Sequence, residues 1–147
     1  EGIVHDENAF VMDGVAGHAG LFGTVDDIAT YAQAWLKLDS KLGREEILRE
    51  AIKEHVNGGN VRRGLGWLLK SENSFAGKFA TANGYGHTGF TGTSIWLEPE
   101  QGLDKQGWFS VLLTNRVHPT RNHGANMHEI RQAFHNALFE RTGFEGM

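Results

Sequence analysis

Gly84-Tyr85-Gly86-His87-Thr88-Gly89-Phe90-Thr91-Gly92-Thr93-Ser94-Ile95-Trp96 reads as strand interrupted by glycine. Glycine weakens a strand, so its recurrence marks a bulge or a place where something approaches the backbone closely. A ligand lying along such an edge can take hydrogen bonds from it. Two strands are read in this stretch, Tyr85 to Gly89 and Thr93 to Leu97. Upstream, Gly64-Leu65-Gly66-Trp67-Leu68-Leu69 is a short third. Downstream, Trp108-Phe109-Ser110-Val111-Leu112-Leu113-Thr114 is the most apolar, which predicts a central strand covered on both faces. Pro99, Gly102 and Gly107 fit a long hairpin loop before it.

Helices flank these strands. Thr24 with Asp27 three residues on forms a capping box, and Val25, Ile28, Ala29, Ala32, Trp35 and Leu36 recur at helical spacing. A second helix is expected from about Glu45 to Val56, ended by Asn57-Gly58-Gly59-Asn60. The last is expected from about Asn126 to Arg141, capped by Asn126 and buried along Met127, Ile130, Phe134, Ala137 and Leu138. Residues 1–23 read as irregular. Strands that follow one another without intervening helices make an antiparallel sheet. The fold class is therefore α+β: a sheet of about four strands, two helices N-terminal to it, and a C-terminal helix on one face.

The 147 residues suffice for one domain with a core, and four Trp and nine Phe can fill it. A net charge of −4 with scattered basic residues argues against nucleic acid. No apolar run approaches the ~20 residues of a membrane span. Cysteine is absent, so disulfides and thiol chemistry are excluded. No signal peptide is legible; the chain opens at Glu1 rather than Met, which leaves room for a lost leader.

His87-Thr88-Gly89, the glycine-rich turn after it, and the strand ending Leu112-Leu113-Thr114-Asn115 together resemble the end of the serine β-lactamase and penicillin-binding-protein superfamily. The match is to class C-like members: esterases, D-aminopeptidases and muropeptide amidases. Val4-His5-Asp6-Glu7-Asn8-Ala9, Gly17-His18-Ala19-Gly20-Leu21-Phe22 and Thr114-Asn115-Arg116-Val117-His118-Pro119-Thr120-Arg121 resemble a subgroup related to secreted muropeptide amidases. That family carries a Ser-x-x-Lys motif with the nucleophile, a Tyr-x-Asn motif with a base, and Lys-Thr-Gly or His-Thr-Gly on the sheet edge. The third is present here. Ser40, Ser71, Ser74, Ser94 and Ser110 have no lysine three residues on, and Tyr31 and Tyr85 no asparagine two on. In the family both lie upstream of the matched region. The resemblance therefore implies that residues 1–147 are the C-terminal part of a β-lactamase-like hydrolase domain, inactive alone.

Serine attack on a carbonyl needs an activated nucleophile and donors for the developing oxyanion. The resemblance implies that the Phe90 N–H is one donor, that His87 hydrogen-bonds a base or a substrate carboxylate, that Thr88 offers its hydroxyl, and that Gly89 keeps the edge open. His5, Asp6 and Glu7 are residue types that suit a divalent ion. Adjacent strand residues point to opposite faces, however, so a hydrogen-bonded loop near the cleft is the simpler reading, with His5 and Asp6 beside the substrate. Arg116, with His118 and Arg121, is placed to meet an acidic substrate group or to line a solvated loop. No metal and no cofactor is implied. The expected partners are a small molecule or muropeptide and the missing N-terminal part of the same domain, in an extracytoplasmic or secreted setting. The alternative is a non-catalytic module that uses the same edge for binding. Loss of half a sheet also predicts a homodimer or a swapped assembly, since open edges pair readily.

Overall fold

A computed structural model describes residues 2–99, 107–122 and 124–142. The element order is α1 (Glu7–Val11), α2 (Val25–Leu36), α3 (Glu45–Ala51), β1 (Val56–Gly58), β2 (Val61–Arg63), β3 (Leu68–Leu69), β4 (Tyr85–Thr88), β5 (Ser94–Glu98), β6 (Trp108–Leu112) and α4 (Met127–Thr142). The six strands form one antiparallel meander in sequence order. This is the expected α+β architecture with a C-terminal helix against one face, but three helices rather than two precede the strands and the sheet has six strands rather than about four. Residues 100–106, including Gly102 of the expected long loop, lie outside the described residues.

The Thr24–Asp27 box forms reciprocally, Asp27 N–H donating to Thr24 Oγ1 and Thr24 N–H to Asp27 Oδ2. α2 then buries Ala32 and Trp35. Trp35, Trp67 and Tyr85 pack edge to face at 5.1–6.4 Å between centroids, and with Leu48, Leu69 and Leu97 they make the core under α2 and α3. Such pairs contribute about 0.5–1.5 kcal/mol each beyond area burial. A second core, Phe75, Ala76, Ala80 and Trp96, lies on the α4 face. Alternation along β5 sends Leu97 to the first core and Trp96 to the second.

The sequence expectations are corrected in four places. Residues 1–23 contain α1, because Asp6 caps it through the Ala9 N–H. The second helix stops at Ala51, not Val56: the Leu65 N–H takes the Ala51 carbonyl at 2.8 Å, and Val56–Gly58 turns through Gly59-Asn60 into Val61–Arg63. Gly59, at φ 64°, makes a two-residue hairpin turn of what reads as a helix stop. The strand covered on both faces is β5, whose Ser94, Trp96, Leu97 and Glu98 are buried; β6 pairs with β5 on one side and is mostly half-buried. Finally, α4 buries His135 and Phe139, while Ile130 is 43% exposed. The sheet beneath α4 presents serine hydroxyls and turn carbonyls, so polar side chains face inward.

Candidate active site

β4 carries the His-Thr-Gly triplet and pairs fully with β5, from Tyr85↔Leu97 to Thr88↔Ser94. The Gly89 N–H donates to Thr93 O at 2.8 Å. In an antiparallel ladder successive residues direct their backbone groups to opposite sides. Gly86, Thr88 and Phe90 thus face away from β5. β3 covers that side at Tyr85 and Gly86 only, so from His87 onward the side of β4 away from β5 has no strand on it among the described residues. The His87 side chain is exposed on this edge. Its Nδ1 lies 2.9 Å from Thr88 O. A carbonyl only accepts, so Nδ1 carries a proton and, in the neutral ring, the lone pair is on Nε2.

The turn after the triplet is fixed from behind. Gly92 N–H donates to Gly89 O at 3.0 Å, closing a β-turn over Phe90 and Thr91. Arg116 Nε donates to Phe90 O at 2.7 Å, and Thr91 O accepts from Thr114 Oγ1 and the Arg116 N–H. Arg131 donates to Gly89 O and Gly92 O. Every carbonyl from Thr88 to Gly92 therefore accepts a hydrogen bond. The Phe90 N–H donates none among the described residues. An acceptor-satisfied turn with an open donor presents positive potential, which suits a developing oxyanion.

Residues far apart in sequence meet at Phe90. The His5 ring stacks on it at 5.3 Å, and the Arg116 guanidinium lies 4.7 Å from its centroid. His5, Arg116 and the triplet are thus brought together. Asp6 is turned elsewhere: its Oδ1 accepts from the Ala9 N–H and pairs with His18 at 2.9 Å, and these bonds, Ala9 first, hold its carboxyl below the usual range. Glu7 pairs with Arg121 at 2.9 Å, which lowers its carboxyl likewise. Among the described residues no three His, Asp or Glu side chains gather as metal ligands. Thr88 and Arg131 open onto a groove of about 250 Å³ that Leu68, Phe75 and His128 also line. Arg131 was missed by sequence reasoning, and Thr114 entered it only as part of the quoted motifs, without a role. The available signal was spacing, since Arg131 stands one helical turn before His135 on the α4 face against the sheet.

A family model described as Beta-lactamase matches residues 2–134. The chain belongs to the Beta-lactamase family. An N-acetylmuramyl-L-alanine amidase from Bacillus subtilis strain 168 is 36% identical over 124 residues, 80% of this chain and 27% of the relative. A protein from Escherichia coli K12, provisionally named a D-alanyl-D-alanine carboxypeptidase, is 34% identical over 123 residues, again 80% of this chain and 27% of its own length. A beta-lactamase structure from Mycobacterium bovis superimposes with TM-score 0.63 at 20% identity, over 84% of this chain and 46% of that one, a likeness of fold. The chain spans about a quarter of the curated relatives it matches. Among the described residues, no helix is long and apolar enough to cross a membrane.

Proposed function

We propose that this chain is the C-terminal part of a β-lactamase-family serine hydrolase domain, and that it supplies one wall of a cleft for cleaving amide or ester bonds in muropeptides or related cell-wall fragments. The observation that carries this reading is the open edge of β4, where the unused Phe90 N–H stands beside an exposed His87. A serine outside these 147 residues attacks the substrate carbonyl. The carbonyl oxygen gains negative charge and is met by the Phe90 N–H and by the serine's own N–H. The leaving group departs, and water releases the acyl-enzyme. Thr88 faces substrate from the groove it lines, while Arg116 holds the Phe90 carbonyl and ring at the strand end. The name of the amidase relative supports a cell-wall substrate, and hence an extracytoplasmic setting.

The test is to express the full reading frame that encodes Glu1–Met147. A Ser-x-x-Lys segment upstream, covalent labelling by a fluorescent penicillin or activated ester, and loss of labelling on Ser→Ala would support the assignment. The 147-residue chain alone should remain unlabelled; a stoichiometric adduct on it would overturn the division of labour.

Self-association is a second reading, favoured by exposed apolar side chains near the N-terminus: Leu21 is 100%, Val15 80% and Val11 77% exposed. Sedimentation of the isolated chain should show a dimer, and a monomer at high concentration would dismiss it.

A further inference from the structure

Arg131 reaches from α4 to the turn after the triplet. Its Nη2 donates to Gly89 O at 2.9 Å and its Nε to Gly92 O at 3.2 Å. The Gly89 carbonyl and the Phe90 N–H belong to one planar trans peptide. Holding the oxygen over the turn, on Arg131 and the Gly92 N–H, therefore fixes the N–H in the opposite direction, away from β5. Drawing electron density onto that oxygen also strengthens the N–H as a donor, because hydrogen-bonded peptides polarise one another. The Gly92 N–H on the same oxygen adds to the effect.

We propose that Arg131 is a positioning residue whose guanidinium orients and polarises the Gly89–Phe90 peptide, so that the Phe90 N–H leaves the sheet edge as a prepared oxyanion donor. The catalytic part of this statement rests on the hydrolase reading above.

The geometry calls for arginine. A planar fork can hold two carbonyls at once, whereas a lysine ammonium is a single mobile point. The stem is anchored too: one turn later His135 is bonded to Ser94 and Ser110, which sets the distance from α4 to the sheet. Arg116 approaches the same turn through Phe90 O, so two cations stand behind one tetrapeptide. Burial, and then the nearby Arg116, lower the Arg131 pKa, so the fold holds this charge where it is disfavoured. Groups held this way concentrate at functional sites.

The experiment has two arms. In the ¹⁵N-labelled 147-residue chain, Arg131→Met should shift the Phe90 amide proton upfield and leave the Ile95–Leu97 resonances in place, with Arg131→Lys intermediate. In the enzyme from the full reading frame, Arg131→Met should lower kcat by about tenfold to a hundredfold with KM within about twofold, and Arg131→Lys should recover part of it. If Arg131→Met loses the sheet resonances, Arg131→Lys is read by the same criteria. An unmoved Phe90 amide in a folded variant overturns the proposal whatever the reaction. A shifted amide with unchanged kcat overturns the oxyanion role. A shifted amide in a chain whose full-length wild type shows no serine-dependent hydrolysis overturns the hydrolase reading and supports the peptide-orienting role.

Discussion

The imidazole of His135 lies 2.8 Å through Nδ1 from Ser110 Oγ, and its Nε2 lies 3.2 Å from Ser94 Oγ. The side chain is wholly buried, with the Phe75 ring 5.8 Å away. One buried ring thus ties α4 to both β5 and β6, directly behind the strand pair that ends at the candidate site.

This clamp predicts a pH dependence of stability. Burial, with a smaller contribution from Arg131, pushes the His135 pKa down from 6.5 to about 4. Between those values the unfolded chain binds a proton that the folded chain does not, so stability rises with pH across the window. It is complete above pH 6.5 and is lost as pH falls toward 4, by up to about 3 kcal/mol. Urea unfolding at pH 7 and pH 5 should show this loss, and His135→Leu should reduce the difference while lowering stability at both.

Glu98 is the second buried group with a definite consequence. Its Oε1 accepts from the Thr81 N–H at 2.9 Å and from Trp96 Nε1 at 2.7 Å, and its Oε2 from Thr81 Oγ1 at 2.6 Å. Burial raises its pKa despite these bonds. A raised carboxyl contributes stability that is present below the unfolded pKa and lost as pH rises through the folded one. Glutamine can keep Oε1 on both N–H donors and donate its amide to Thr81 Oγ1. Glu98→Gln should therefore stay within about 1 kcal/mol of wild type at pH 7, whereas Glu98→Ala orphans the buried donors and should cost about 2–4 kcal/mol. Thermal unfolding of the pair checks this.

Gly92 closes the turn after β4 at φ 97°. A Cβ there would stand 2.9 Å from Met127 Cε and overlap Thr114 Oγ1. Gly66, at φ 79°, has open space around it. Alanine at Gly66 should cost backbone strain alone, about 1 kcal/mol, and alanine at Gly92 about 2–3 kcal/mol. Hydrogen exchange of the Arg116 amide, bonded to Thr91 O at 3.0 Å, should accelerate in the Gly92 variant and not in the Gly66 variant.

What was legible in the sequence was local or strongly periodic. The α2 cap needs only Thr24 and Asp27, and β4 and β5 announce themselves by glycine and β-branched alternation. The β1–β2 hairpin was misread because Asn57-Gly58-Gly59-Asn60 serves a helix stop and a tight turn equally well, and the choice is made by Leu65 folding back on Ala51. The buried face of α4 was misread for the opposite reason. Hydrophobic periodicity selects Ile130 and Phe134, but Ser94, Ser110 and the carbonyls of Gly89 and Gly92 supply polar partners that draw His135 and Arg131 inward. For Asp6, which the sequence reading set beside the substrate, no local pattern shows that its carboxylate is taken up by α1 and His18.

The contact of His5 with Phe90 supplies the last prediction. The two rings lie 25° from parallel, and Arg116 also contacts the Phe90 ring, so one exposed aromatic joins the N-terminal segment to the turn that carries the candidate donor. Glu7 to Arg121 is a second tie of this segment, an exposed ion pair worth little in water. Phe90→Ala keeps the backbone N–H and removes the ring. It should cost about 1 kcal/mol, loosen residues 2–12, and leave β4–β5 pairing intact. Hydrogen exchange should quicken at the Ala9 and Phe10 amides, which bond to Asp6, while His87 and Gly89 stay protected by Ile95 and Thr93. Equal acceleration at Gly89 would mean that the ring holds the strand edge itself rather than the segment docked on it.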